Sequence, residues 1–264
     1  MTWDPRQYLQ FEDQRLRPAV DLLARVPAAS PQRIVDLGCG TGNVTRLLAQ
    51  RWPNAQITGV DNSATMLARA RAVAADLPRV TFVAAELDAW SPAAPVDLVY
   101  SNAALHWLPE HATLITRLAS LVASSGVLAV QMPDNFRAPS HASIAALALR
   151  PRWRAKLAAL VRATPTAPAA DYYAWLAPLF SRIDVWTTEY LQVLAPSAAG
   201  DHPVAAWTKS TWLAPFLAAL DGAEQREFLA AYEEDLASVY PVLPDGSVLF
   251  PFRRLFIVAT GKAA

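Results

Sequence analysis

The most informative stretch of the chain reads Ile34-Val35-Asp36-Leu37-Gly38-Cys39-Gly40-Thr41-Gly42. It begins with an apolar run, which is typical of a parallel strand buried on both faces. The segment that follows, residues 43–51, has helix-forming composition with apolar residues at helical spacing. The stretch therefore predicts a turn that leads from a buried strand directly into a helix.

Glycine at every second position of this turn, at 38, 40 and 42, predicts a ligand that lies against the backbone. Glycine has no Cβ atom, so it allows close approach and the positive φ angles of a tight turn. A dinucleotide fingerprint is spaced G-x-G-x-x-G, whereas here the third glycine comes one residue early. Asp36, before the turn, repels a pyrophosphate and attracts a cation. The pattern disfavours NAD and FAD and favours S-adenosylmethionine, which carries an ammonium and a sulfonium; a glycine turn without a ligand is the alternative.

Acidic residues also follow the next two predicted strands. Asp61 lies about twenty residues beyond the glycines, where a carboxylate of a βαβ unit binds the ribose hydroxyls. It is followed by Asn62, a second candidate for cofactor binding, and capping of the next helix is the alternative role for Asp61. Glu86 can accept a hydrogen bond from an exocyclic amine, and the backbone amide of Leu87 is available to a ring nitrogen. These residues predict a site for an adenosyl group.

A fourth predicted strand, residues 96–102, ends at Asn102 and is followed by His106 and Trp107. Open α/β sheets bind ligands beyond the carboxyl ends of their strands. We therefore expect Asn102 to contact the cofactor, and His106 and Trp107 to lie at its reactive end. Half-buried positions at the start of a helix explain the last two equally well. Tyr8 is expected to cover the site if its segment folds over the glycine loop, and ordinary packing is the alternative.

Strands and helices alternate five times up to residue 135, with a turn expected at 124–126 and the fifth strand from Val127 to Met132. This alternation predicts a doubly wound parallel sheet. Alanine-rich helical segments follow, and a strand-like segment ends the chain. We expect one domain of 264 residues with these parts: N-terminal cap helices at 1–28, a cofactor-binding core at 29–135, helical cap insertions at 136–182 and 195–246, and the final strands at 183–194 and 247–264.

Composition excludes several classes of protein. A hydrophobic fraction of 53% with 17% charged residues argues against disorder, and a formal net charge of zero gives no attraction for nucleic acid. The single cysteine, Cys39, cannot form an internal disulfide, and no cysteine-histidine cluster predicts a metal site. The N-terminus lacks a signal-peptide pattern, and no apolar run has the length of a membrane span. We expect a cytoplasmic protein without nucleic-acid, membrane or metal partners, either a monomer or a weak homodimer.

Together, the Asp36 to Gly42 loop, Asp61 and Glu86 resemble the class I S-adenosylmethionine-dependent methyltransferases. The resemblance implies a Rossmann-like, doubly wound α/β sheet of seven strands with the last strand antiparallel. It also implies a helical cap formed by the N-terminus and the C-terminal insertions. The cofactor implied is S-adenosylmethionine and the product S-adenosylhomocysteine.

Three further segments resemble a narrower family, the trans-aconitate 2-methyltransferases: residues 17–23, 131–135 and 254–260, within a similarity that covers nearly the whole chain. This resemblance implies methyl esterification of a carboxylate on a small organic acid, most narrowly trans-aconitate. A carboxylate is ionised at neutral pH, since its reference pKa lies near 4, and it needs no catalytic base. Candidates for positioning the acceptor are Tyr8, His106, Trp107 and Arg254. Another carboxylic acid or a natural-product hydroxyl is the alternative acceptor, and a hydroxyl would require His106 as base.

One departure from the narrower family bears on the substrate. The chain reads Trp212-Leu213-Ala214-Pro215 where that family has Gly-Leu-Arg-Pro, so an arginine suited to a carboxylate is missing. Arg253, beside Arg254, is a candidate replacement for its charge, and a less charged acid is the alternative. Two other classes, an NAD-dependent oxidoreductase and a non-catalytic partner protein, are disfavoured by the intact glycine loop and acids.

Overall fold

The structure is a computed structural model that describes residues 16–162, 166–209 and 211–263. In chain order the elements are α1 (Arg17–Arg25), β1 (Arg33–Leu37), α2 (Asn43–Arg51), β2 (Gln56–Asp61), α3 (Ala64–Val73), β3 (Val80–Ala84), β4 (Val96–Asn102), α4 (His111–Ser120), β5 (Val122–Pro133), α5 (Pro139–Ala148), α6 (Arg154–Leu157), α7 (Ala169–Leu176), β6 (Phe180–Leu194), α8 (Pro203–Lys209), α9 (Ala214–Ala218), α10 (Gly222–Val239) and β7 (Val248–Lys262). Single 3-10 turns lie at Leu105–Trp107 and Ala158–Leu160.

The strands form one seven-stranded sheet in the order β3-β2-β1-β4-β5-β7-β6. Strand β1 pairs in parallel with β2 and β4, and the parallel pairing continues to β3 and β5. Strand β7 runs antiparallel to β5. The expected doubly wound sheet with an antiparallel last strand is confirmed. The strand order reverses between β1 and β4, and such a switch point opens the crevice where α/β sheets bind ligands.

One face of this sheet packs against α4 and α7 through a large apolar cluster. Its buried members come from six strands and the two helices, including Val35, Leu37, Val60, Val99, Ile115, Leu118, Leu128, Val130, Met132, Tyr172, Leu176, Phe180, Leu255 and Ile257. Burial of this apolar area is the main force that holds the strands in place. The carboxyl ends of β1 to β5 are thereby fixed on a rigid platform.

The opposite face carries polar groups among its apolar residues. Asp36 on β1 is the register partner of Tyr100 on β4, and Tyr100 that of Ala129 on β5. The Tyr100 hydroxyl donates to the carbonyl of Ala19 in α1 at 2.6 Å. The Thr45 hydroxyl of α2 donates to Asp36 at 2.6 Å. Helices α1 and α2 therefore cover this second face through hydrogen bonds as well as packing.

The chain divides into two compact units. Among the described residues, the first comprises 16–133, 166–188 and 254–263, and the second 134–162, 189–209 and 211–253. Helix α7, which the sequence analysis assigns to the cap insertion, belongs to the first unit. The second unit has its own buried cluster, whose large members include Ile144, Trp153, Phe216, Phe228, Tyr232 and Phe250.

Strand β5 starts earlier than the expected Val127, because Val122 already pairs with Val96 on β4. The register then shifts before Leu98 pairs with Val127. The predicted turn at 124–126 is thus a bulge inside a strand. At Gly126 an added Cβ atom would lie 3.0 Å from the carbonyl oxygens of Val96 and Asp97, so the bulge requires a residue without a side chain.

Two glycines of the first turn differ in what surrounds them. Gly38 has φ +74°, and an added Cβ atom would lie 2.1 Å from the Cβ atom of Ala104. Gly40 has φ +52°, and nothing lies within 4 Å of its added Cβ atom. Both positions strain an L-residue, whereas only Gly38 is sterically blocked.

We expect Gly38→Ala to lower the free energy of unfolding by about 3 to 5 kcal/mol, because backbone strain adds to overpacking. Gly40→Ala, its matched control, should cost only about 1 kcal/mol, since strain is its sole cost. Urea unfolding of the two variants measures the difference. Equal losses would show that the contact with Ala104 does not constrain the turn.

Candidate active site

The glycine loop is held to β2 by three backbone amides. The carbonyl oxygen of Val60 accepts from the amides of Gly38 at 2.8 Å and Cys39 at 3.1 Å. The amide of Gly40 donates to Oδ2 of Asp61 at 3.0 Å. The loop therefore has a fixed conformation, with the open side of Gly40 left for a ligand.

Asp61 joins the loop to the start of α3. Its second oxygen, Oδ1, accepts from the amide of Ser63 at 2.9 Å. Ser63 is the N-cap residue of α3, and its hydroxyl accepts from the amide of Met66 at 3.3 Å. Each carboxylate oxygen has a second lone pair, so Asp61 keeps acceptor capacity for hydroxyl groups. Its predicted contact with a ribose is compatible with this geometry and stays a prediction.

Asn62 and Glu86 face each other across the ends of β2 and β3. The Asn62 amide donates to the Glu86 carboxylate at 3.1 Å, and both side chains are exposed. Leu87 is half-buried beside the loop, since its Cδ1 atom lies 3.4 Å from a Cβ atom built on Gly38. The structure thus brings four predicted cofactor residues next to the glycine loop: Asp61, Asn62, Glu86 and Leu87.

Asp36 is more deeply buried than the sequence suggests. It is 1% exposed, and burial raises the pKa of its carboxyl group to about 7, with Asp61 adding to the rise and the Thr45 hydrogen bond opposing it. A cation beside the loop would favour its ionised form. Its neighbour in the loop, Cys39, is also buried, and burial together with the charges of Asp36 and Asp61 raises the pKa of the thiol.

The end of β4 turns sharply beside the loop. Ala103 has φ +53°, an unusual angle for an L-residue, and its amide donates to the carbonyl of Gln131 at 2.9 Å. Asn102 is half-buried, and its Oδ1 atom has no hydrogen-bond partner among the residues that the structure describes. Backbone strain at such a turn is often tied to a functional site.

His106 and Trp107 have different environments although their rings are 4.7 Å apart. His106 is 7% exposed, and burial lowers the pKa of its imidazole to about 3, with smaller contributions from Arg254 and His111. It is therefore a neutral ring at physiological pH. Trp107 is 56% exposed. The turn that carries them is anchored by His111, whose Nε2 atom lies 3.0 Å from the carbonyl oxygen of Leu105 and whose Nδ1 atom pairs with the Tyr172 hydroxyl.

Arg254 and Arg253 differ although they are adjacent in sequence. Arg254 is 5% exposed and lies opposite Pro133 in the pairing of β7 with β5. Arg253, in the second unit, forms an ion pair with Asp134 at 3.1 Å. Of the two, Arg254 is the buried cation, and its charge helps to lower the pKa of His106. Tyr8, the remaining acceptor candidate, lies outside the described residues.

Trp212, which marks the departure from the narrower family, packs within the second unit. Its ring lies 4.9 Å from that of Phe136 and 5.9 Å from that of His141. The His141 pKa is lowered to about 4 by burial. The aromatic side chain thus has a packing role in this unit.

Sequence reasoning did not single out Gln131, whose side chain is buried and polar. It is 0% exposed, and neither atom of its amide has a hydrogen-bond partner in the described part of the chain. A buried amide atom left unpaired costs about 1 to 3 kcal/mol. The available signal was a lone polar residue in the apolar strand Val127-Leu128-Ala129-Val130-Gln131-Met132.

Two kinds of feature are absent from the described residues. No group of three or more histidine, cysteine, aspartate or glutamate side chains is arranged to hold a metal ion. No helix there has the length and apolar character needed to span a membrane.

Comparison with known proteins agrees with this geometry. Residues 34–126 match a family model described as a methyltransferase domain. The chain is 49% identical over 258 residues to the trans-aconitate 2-methyltransferase of Methylobacterium nodulans, with 97% of each chain covered. It is 47% identical over 258 residues to the enzyme of the same name from Azoarcus sp., with 98% of each covered.

The fold also resembles that of solved methyltransferases. One is phosphoethanolamine N-methyltransferase 2 from Haemonchus contortus in complex with S-adenosyl-L-methionine, with a TM-score of 0.55 and 16% identity. That match covers 93% of this chain and 52% of the other, and at such low identity it shows the fold alone. The 49% sequence identity to the Methylobacterium nodulans enzyme, over 97% of both chains, is high enough to show the family. The chain belongs to the trans-aconitate 2-methyltransferase family of S-adenosylmethionine-dependent methyltransferases.

Proposed function

We propose that this protein forms a methyl ester on a carboxylate of trans-aconitate. The observation that carries the proposal is the 49% identity over 97% of both chains with a trans-aconitate 2-methyltransferase. The geometry of the first unit supports it, because that unit combines an open glycine loop with a buried cation and a neutral histidine. We also propose that the protein is a cytoplasmic enzyme, that it is monomeric or weakly dimeric, and that it has no nucleic-acid partner.

The residues around the loop fit an adenosyl cofactor. Gly40 has open space where a side chain would stand, so a ligand can lie against the loop. Asp61 has acceptor capacity for ribose hydroxyls, and the exposed Glu86 can accept from an exocyclic amine. When bound, S-adenosylmethionine supplies an electrophilic methyl group on a sulfonium. Asp36 is assigned to the ammonium end, where its negative charge would be stabilised.

The acceptor end has the opposite charge. Arg254 is a buried guanidinium, and a guanidinium pairs well with a carboxylate through parallel hydrogen bonds. The neutral His106 imidazole nearby can donate or accept one hydrogen bond without adding charge. Together they hold and orient an organic acid, with the exposed face of Trp107 available to cover it.

A carboxylate acceptor requires no proton transfer, because it is already ionised at neutral pH. Catalysis then consists of alignment of the carboxylate oxygen with the methyl group and exclusion of water, for which effective molarities of about 10⁵ to 10⁸ M are possible. A hydroxyl acceptor would need a base. An imidazole with a pKa of about 3 is a weak base, which favours the acid over the hydroxyl.

The direct test is an assay with trans-aconitate and labelled S-adenosylmethionine, in which ester formation is followed by mass spectrometry. Citrate, other di- and tricarboxylates and a fatty acid serve as competing acceptors. We expect trans-aconitate to give the highest kcat/KM. A higher value with a different acid, or turnover of a hydroxyl compound alone, would contradict the proposed substrate.

Replacement of Glu86 separates cofactor binding from stability. Glu86→Ala should weaken binding of S-adenosylhomocysteine by about 10- to 100-fold, because a charge-assisted hydrogen bond is lost. The free energy of unfolding should change by less than about 0.5 kcal/mol, since the side chain is exposed. Asp88→Ala, which removes another exposed carboxylate two residues later, is the control. Calorimetric titration that shows equal affinities for both variants would remove Glu86 from the site.

Asp36 makes cofactor binding dependent on pH. Its pKa of about 7 means that it is mostly protonated at pH 6, so affinity for S-adenosylhomocysteine should rise about tenfold between pH 6 and 8 as the carboxylate forms. Asp36→Asn should remove this rise, and calorimetry at the two pH values measures it. An unchanged slope in the variant would assign the titration to another group.

The same shift gives a matching effect on stability. The pKa of Asp36 is higher in the folded state than in the unfolded state. The stability that the protonated carboxyl group contributes is therefore fully present below about pH 4 and is lost as pH rises through 7. Relative to the wild type, Asp36→Asn should therefore gain stability between pH 4 and pH 8. Denaturant unfolding across this window provides the second readout.

His106→Gln tests the absence of a catalytic base. Glutamine keeps a hydrogen-bonding group, so kcat for the acid should fall less than about tenfold. Titration of His106 should also cause no change in the kcat of the wild type between pH 5 and 8, because the ring is neutral throughout this range. A loss of more than about a thousandfold in the variant would indicate proton abstraction.

A further inference from the structure

Gln131 is a fully buried polar side chain in the middle of the sheet. It is 0% exposed, and within the described residues neither Oε1 nor Nε2 has a hydrogen-bond partner. Its neighbours along β5, Val130 and Met132, are apolar and fully buried. A leucine would avoid the cost of the two unpaired groups, so this amide is not explained by the stability of the fold.

The register of the sheet places other polar groups on the same face. Gln131 pairs with Asn102 on β4 and with Phe256 on β7, and Arg254 lies two residues before Phe256. Register partners share a face of the sheet, as do residues two apart on one strand. Asn102, Gln131 and Arg254 therefore form a polar row across the carboxyl ends of β4 and β5 and the adjoining part of β7.

The position of this row distinguishes the two ligands of the reaction. The residues assigned to the adenosyl group follow β1, β2 and β3, and Asn102, at the end of β4, is the member of the row that is expected to contact the cofactor. Strand β5 lies two strands from β1 on the opposite side, which is about 10 Å at the usual spacing of strands. Gln131 thus lies beyond the methyl donor, on the side of the acceptor, with the cation of Arg254 on the same face.

We propose that Gln131 binds a carboxylate of the acceptor acid and determines which acids are accepted. The proposal rests on the proposed function of this site. Nε2 donates to a carboxylate oxygen, and Arg254 supplies the opposing charge. A neutral amide adds a directed hydrogen bond without adding a second positive charge. Such a group suits an acid with several carboxylates, one of which pairs with the Arg254 guanidinium.

The test compares Gln131→Leu and Gln131→Glu with the wild type, and Gln192→Leu serves as control. Gln192 is also buried, at 4% exposure, and its Oε1 atom is likewise without a partner in the described residues. Three quantities are measured for the full chain: affinity for S-adenosylhomocysteine, affinity for trans-aconitate in its presence, and the unfolding midpoint. KM and kcat for trans-aconitate are measured alongside.

We expect Gln131→Leu to weaken trans-aconitate binding and raise KM by about 10- to 100-fold, as for the loss of a hydrogen bond to a charged group. Its affinity for S-adenosylhomocysteine should stay within about threefold, and its unfolding midpoint should equal or exceed that of the wild type. Gln131→Glu should weaken acid binding further, because a carboxylate repels the acceptor. The control should leave KM within about twofold.

Several results would overturn the proposal. These are unchanged binding of the acid in Gln131→Leu, an equal loss of S-adenosylhomocysteine affinity, or a lower unfolding midpoint in both Gln131 variants, which would make the residue structural. If the wild type does not bind trans-aconitate, the proposed substrate is wrong, and the same variants are compared on citrate or the acid that it does bind. If the wild type binds no di- or tricarboxylate, the assignment of Gln131 is wrong as well.

Discussion

The site depends on the attachment of the glycine loop to β2. Two successive amides of the loop donate to the carbonyl of Val60, and the next glycine donates to Asp61. The loop belongs to β1 in sequence but takes its shape from the neighbouring strand. Strand β2 is itself buried in the sheet. The hydrogen bonds to Val60 and Asp61 therefore fix both the glycine loop, which is assigned to the cofactor, and the Asp61 side chain, which is assigned to its ribose. A ligand that binds there meets a surface that is already ordered.

Acidic and basic side chains are separated along the sheet, and their charges complement those of the two proposed ligands. Asp36, Asp61 and Glu86 lie at the ends of β1 to β3 or just beyond them, whereas Arg254 lies on β7 on the far side of β4 and β5. In the proposed binding mode, the negative groups face the cationic donor and the positive group faces the anionic acceptor. Burial keeps His106 neutral, and it raises the pKa of Asp36, so this carboxyl group is fully ionised only when a cation binds beside it. Under this proposal the two ligands are oriented by charge, and an ionised carboxylate acceptor needs no proton transfer.

The sequence predicts the cofactor half of the site better than the acceptor half. Asp61 and Glu86 are found because spacing after a strand has a fixed meaning in a parallel sheet, and the structure places both beside the loop. The burial of Asp36 depends on Thr45 in α2, which a local pattern does not show. Gln131 and Arg254 share a face only because β7 returns antiparallel to β5, a pairing across more than a hundred residues. The early start of β5 was missed for a related reason, since Val122 is drawn into the sheet by Val96.

The position of Cys39 has a practical consequence. The chain has a single cysteine, and it lies in the glycine loop, 6% exposed, with a thiol whose pKa is raised by burial. Reagents attack the thiolate, so this sulfur reacts only when the loop opens to solvent. The rate of alkylation therefore reports how often this one turn opens, with no competing thiol and no engineered label. Ligands that hold the turn closed would slow that reaction in proportion to their occupancy.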